Sequence, residues 1–143
     1  MKLIDLNLLL YAVNEDSPNH SKAKLWLEEA FASGEFLALP WIVLLGFLRI
    51  STHPKILENP LTPSQAMEVV DGWLKQPSTR VLQSGKEHWS VLRALLTDSG
   101  TAGNLTTDAH LAALAIEHRC KLCSTDHDFS RFQGLDWENP LHG

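Results

Sequence analysis

From Lys2 to Trp137 the chain repeats one pattern: a short apolar run, then stretches with helical spacing, then another short run. The runs at Lys2–Asp5, Phe36–Leu39, Arg80–Gln83, Lys121–Ser124 and Leu135–Trp137 read as strands. Parallel strands need crossover connections, usually helical, so this alternation selects an α/β fold with a mainly parallel central sheet.

The helical stretches carry their own punctuation. Leu6–Val13 is expected to be helical. Ser17-Pro18 suits a helix start, serine as N-cap and proline at the first helical position. Ala23, Trp26, Leu27, Ala30 and Phe31 then form one apolar face, and Gly34 ends it. Trp41–Ile50 is apolar on every side apart from Gly46 and Arg49, which predicts a buried helix. Thr62-Pro-Ser-Gln65 fits a capping box ahead of Ala66, Val69, Val70, Trp73 and Leu74. Trp89, Leu92, Leu95 and Leu96 mark the next helix, closed by Ser99-Gly100. Thr107–Ile116 is the last, with Leu111, Leu114, Ala115 and His118 along one side.

Composition sets the outer limits. A chain of 143 residues, 44% hydrophobic and 20% charged, with no repeat or low-complexity tract, is expected to form one domain over 1–143. The longest apolar run, Trp41–Leu48, holds eight residues, against ~20 for a membrane span. With no secretory leader pattern, a cytoplasmic protein without membrane contact is expected. Cys120-Lys-Leu-Cys123 runs into a strand instead of opening a helix, and no further ligands stand at zinc spacing, so both cysteines are expected to be buried thiols. The net charge of −5 does not advertise nucleic-acid binding. Carboxylates at a metal site would, however, lower the charge of a protein that binds an anionic substrate through its cations.

The acids deserve joint treatment. Alone, Asp5 is suited to cap the helix after it, Asp108 to meet the positive end of a helix dipole, and Asp126 or Asp128 to stabilise a turn. Together they follow a pattern. Asp5 and Asp126 fall at or just past the carboxyl ends of parallel strands, the edge where open α/β sheets bind ligands. Asp108 opens a helix that reaches the same edge if its preceding loop returns there. Converging carboxylates repel and raise each other's pKa. A divalent cation removes that conflict, and hard oxygen donors suit Mg²⁺ or Mn²⁺.

These residues resemble a known family. Asp5-Leu-Asn7-Leu-Leu-Leu-Tyr11 is similar to the opening D-x-N-x-L-x-Y of PIN-domain ribonucleases. Thr107-Asp108-Ala-His-Leu-Ala-Ala-Leu-Ala resembles their third motif, and Ser124-Thr-Asp126-His-Asp128-Phe129 their last, T-x-D-x-D-F. Order and spacing resemble a VapC-type toxin of a toxin–antitoxin system over essentially the whole chain. The resemblance implies a three-layer α/β/α PIN-like domain and a metal-dependent endoribonuclease. It also implies Mg²⁺ (or Mn²⁺) as cofactor, RNA as substrate, a cognate VapB-type antitoxin and a homodimer. By matching position it implies metal and catalytic roles for Asp5, Asp108 and Asp126, with Asp128 a further metal acid. Ser124 matches a threonine near the metal-bound water, and Asn7 a residue supporting the first aspartate.

One position departs. The family commonly has a glutamate in an E-x-x-R pattern on the helix after the second strand. Here the stretch is Gly46-Phe-Leu-Arg49, so the arginine remains and the glutamate does not. A smaller ligand charge, and with it either weaker metal binding or a single metal ion, is the expected consequence. Asp128 either approaches the site beside Asp126 or caps the next turn. His127 and His110 are expected to point away from the metal. Arg49, Lys55, Arg80, Lys86, Arg119, Lys121 and Arg131 are candidate phosphate contacts, Arg49 first among them because an arginine ending a buried helix needs a partner. A second reading makes the chain a PIN-like module that binds RNA or antitoxin and cleaves weakly. A third, a metal phosphatase or DNA nuclease, lacks the D-x-D-x-T signature for the phosphatase case.

Overall fold

The computed structural model describes residues 1–142. Five short strands form one parallel sheet: β1 (Lys2–Ile4), β2 (Leu37–Ala38), β3 (Thr79–Arg80), β4 (Lys121–Cys123) and β5 (Trp137–Glu138), in the order β3-β2-β1-β4-β5. Every pairing is parallel, with Leu3 opposite Ala38 on one side and opposite Leu122 on the other. The connections are α1 (Leu6–Val13), α2 (His20–Ala32), α3 (Trp41–Ser51), α4 (Pro63–Lys75), α5 (His88–Ser99) and α6 (Thr106–Glu117).

Handedness then fixes the layers. The chain steps β1→β2→β3 in one direction across the sheet and returns β3→β4 in the other. Right-handed crossovers therefore put α1–α4 on one face and α5–α6 on the opposite face. The helix contacts agree, with α1 packed on α2 and α3, α3 on α4, and α5 on α6. This is the expected three-layer α/β/α arrangement. Its switch point lies between β1 and β4, where the strand order reverses.

The core explains which strands matter. Leu3, Ile4, Leu122 and Cys123 on the two central strands are fully buried, and Phe47 and Phe129 are the largest side chains with no meaningful exposure. Both cysteines are free and buried, and burial pushes the Cys123 thiol up to about 12. At Thr62 the capping box forms as expected: its Oγ1 accepts from Gln65 N–H while Gln65 Oε1 accepts from Thr62 N–H.

Several expectations are corrected. The helix expected from Pro18 begins at His20: Ser17 Oγ accepts from Asn19 N–H in a turn, and the His20 ring bonds the Tyr11 carbonyl, fixing the start of α2 against the end of α1. The strand expected at Arg80–Gln83 is Thr79–Arg80, and that expected at Leu135–Trp137 is Trp137–Glu138. Each follows the register of its neighbour, Arg80 opposite Ala38 and Glu138 opposite Cys123. Helix α3 is not buried all round. Trp41, Ile42 and Leu45 are 52%, 37% and 60% exposed, a stripe that continues to exposed Arg49. Among the described residues Arg49 joins no ion pair, so the partner expected for it is missing.

Candidate metal centre

Asp5 is the first residue past β1, and β4 beside it ends one residue before Ser124, so the switch point brings the two carboxyl ends together. Asp5 caps α1: its Oδ1 accepts from Leu6 N–H at 2.7 Å. Its Oδ2 accepts from the Ser124 hydroxyl, also at 2.7 Å. Ser124 Oγ in turn accepts from Asn7 Nδ2 at 3.1 Å and from Asp126 N–H at 3.0 Å. That hydroxyl is fully buried and uses its one donor and both acceptor sites. Asn7 therefore reaches Asp5 through Ser124. Ser124 is a junction among protein groups, with no face toward solvent.

The other acids arrive from two elements. Helix α6 runs antiparallel into β4, so its first turn, with Asp108, lies at the same carboxyl edge. Beyond Ser124 the chain does not stay extended. Asp126 caps a 3₁₀ turn over His127–Arg131, its Oδ1 accepting from Asp128 N–H at 2.9 Å. The sequence left Asp128 between site and cap. Asp126 takes the cap, and Asp128 turns toward the other acids.

Asp108, Asp126 and Asp128 each offer an oxygen within 4.8 Å of the others. Asp5, only 8% exposed, is not one of that trio. Electrostatics shows all four converging. Burial first, then the charges of Asp126, Asp5 and Asp128, raise the Asp108 carboxyl to about 6. Asp5 is raised chiefly by burial, opposed by its bonds to Ser124 and Leu6. Three half-buried carboxylates this close suit a hard divalent cation, whose charge would offset the burial and the neighbouring charges that raise Asp108.

The neighbours complete the picture. Arg131 Nε lies 3.6 Å from Asp128 Oδ1, an exposed pair one turn apart that contributes little stability but puts a cation at the rim. His127 is exposed and packs edge-to-face on Trp137 with ring centroids 5.5 Å apart. Trp137 Nε1–H donates to the Ser124 carbonyl, a tie no local signal foretells. His110 faces away from the acids, bonded to His88, whose other nitrogen bonds Glu117 at 2.6 Å. Sequence reasoning missed this Glu117–His88–His110 chain between α5 and α6, because His88 lies on a different element from the other two. It also missed Leu6, whose side chain lies against Gly46: a Cβ there would come within 2.8 Å of Leu6 Cδ2.

Comparison with known proteins gives the family. The PIN domain family profile matches residues 2–135. The chain is 41% identical to Ribonuclease VapC37 of Mycobacterium tuberculosis over 140 residues, 98% of this chain and 97% of that protein. It is 40% identical to Ribonuclease VapC33 of the same species, covering 99% of each. Among solved structures, VapBC2 from Rickettsia felis bound to a promoter DNA fragment superposes with a TM-score of 0.69 at 20% identity. That match covers 96% of this chain and 97% of that one, a likeness of fold. The chain belongs to the PIN-domain family and, within it, to the VapC ribonucleases.

Proposed function

We propose that this protein hydrolyses RNA phosphodiester bonds as the toxin of a VapBC-type pair, with Mg²⁺ or Mn²⁺ held by Asp108, Asp126 and Asp128. The observation that carries this reading is the group of three carboxylates within mutual reach at the sheet's switch point. A bound divalent ion supplies Lewis acidity toward a phosphate oxygen and lowers the pKa of water. The chain's own groups do the rest. Asp5, locked by Leu6 N–H and the Ser124 hydroxyl, adds negative charge at the floor of the crevice and joins the catalytic group. Ser124 and Asn7 support it, Ser124 also holding the Asp126 backbone. Asp108, with its carboxyl raised to about 6, would be ionised near neutral pH and free to act as a ligand. Arg131 at the rim is well placed to meet an RNA phosphate, and exposed Arg49 serves the same end farther out.

The same reading includes a VapB-type antitoxin, cytoplasmic residence and a homodimer. For the dimer, the exposed α3 stripe of Trp41, Ile42 and Leu45 is the face we assign to a second copy. Among the described residues no helix is long and apolar enough to cross a membrane.

Antitoxin-free protein incubated with total RNA tests the activity, with Mn²⁺, Mg²⁺ or chelator. Cleavage that needs metal and disappears in Asp126→Asn is expected. Cleavage unchanged by that substitution would refute the assigned site, and well-folded protein that binds RNA without cutting it would favour the binding-module reading.

A further inference from the structure

We propose that Leu6 and Gly46 together limit this site to one divalent cation, Leu6 filling the space through which a carboxylate at position 46 would approach. The inference rests on the metal reading above and concerns how many ions the site holds.

Gly46 is buried on α3, and Leu6 opens α1 directly after Asp5. A Cβ on residue 46 would meet Leu6 Cδ2 at 2.8 Å, with Cδ1 and Cγ both at 3.7 Å. All three of its nearest neighbours are Leu6 side-chain atoms, so Leu6 is the first group such a side chain meets. The Leu6 backbone is tied to Asp5 through its N–H, so the adjustment falls on its side chain. Only rotation of the leucine side chain makes room, and this would turn apolar surface out of the contact between α1 and α3. The contact also gives the helical glycine its packing reason: it lets two helices approach at the edge of the site.

The charge distribution fits. Carboxylates reach the crevice from the end of β1, from α6 and from the turn after β4, while α3 supplies none. Sites with two ions hold them ~3.5–4 Å apart and need donors on both flanks. Here α3 carries no carboxylate, and Leu6 packs on the one position from which the sequence pattern would supply it.

Mn²⁺ titration followed by electron paramagnetic resonance of the free ion counts sites in the full chain at neutral pH. Wild type, Leu6→Ala and Gly46→Glu are expected to bind one Mn²⁺ each, Gly46→Glu with a lowered Tm. Leu6→Ala/Gly46→Glu is expected to bind two, or one at least tenfold more tightly. Leu6→Ala/Gly46→Asp, with a shorter side chain, provides the same comparison if the first double variant does not fold. Two ions on wild type would overturn the proposal. So would a gain in Gly46→Glu alone equal to that of the double variant, or no gain in either folded double variant. In the last two cases, one ion on wild type that is lost in Asp108→Asn leaves the metal reading standing. No Mn²⁺ on wild type would sink both.

Discussion

The Ser124 hydroxyl donates to Asp5 Oδ2 at 2.7 Å across 119 positions of sequence, and this single bond joins the two halves of the candidate site. The same oxygen accepts from Asn7 and from the Asp126 backbone, so one buried atom sets the positions of both strand-end acids.

Ser124→Ala removes that junction. It leaves Asp126 N–H and Asn7 Nδ2 without their acceptor and frees one Asp5 oxygen. Loss of about 1–3 kcal/mol in urea unfolding is expected, the usual cost of an unsatisfied buried group. RNA cleavage should fall at least tenfold, because both acids lose their reference point.

Asp108→Asn should separate activity from stability. The native protein holds Asp108 against burial and three neighbouring charges. Removing its charge is expected to abolish cleavage and Mn²⁺ binding. In chelator it should raise stability by roughly 0.5–2 kcal/mol, the range common for relieving a functional strain. Equal or lower stability in chelator would show that the acids do not repel each other as described.

The pH dependence has a definite sign. Asp108 is an acid whose folded pKa, about 6, lies above its ordinary value of 3.8. Between those values the native state binds more protons than the unfolded state, so stability falls as pH rises through the window. Asp5 is shifted in the same direction. Metal-free Tm measured against pH should carry this contribution, and wild type minus Asp108→Asn isolates it. Mn²⁺ affinity should run oppositely, weakening below about pH 6 as protons compete for Asp108.

Leu45→Glu tests the α3 face. Leu45 is 60% exposed, so its replacement should change monomer stability by no more than about 0.5 kcal/mol. A charge in the middle of an apolar self-contact should convert a dimer to a monomer in light scattering. A dimer that persists would place the interface elsewhere.

Legibility in the sequence followed the range of the signal. The capping box at Thr62 and the helix stop at Gly100 rest on neighbours within one turn, and both form as read. Strand limits moved because these strands are only two or three residues long and their ends depend on the adjacent strand. That Asp5 and Asp126 share a sheet edge was legible from their places at strand ends, whereas Asp108 depended on the return of the loop before α6. That Asp126, and not Asp128, would cap the turn was not, because either spacing permits a cap. Helix α3 misled for a different reason: an apolar run does not say which side meets the sheet and which is left for another molecule. Contacts such as Leu6 with Gly46 leave no trace in a single sequence.

The placement of β4 beside β1 has a consequence for the order in which the chain is made. Asp5 follows β1 and Asp108 opens α6, while Asp126, Asp128 and the strand that presents them come only from Lys121 onward. Any product that stops short of that point, whether nascent, frameshifted or cut, lacks both Asp126 and the hydroxyl that sets Asp5. Incomplete synthesis therefore gives an inert polypeptide, and the hazard begins only when the late strand inserts beside the early one.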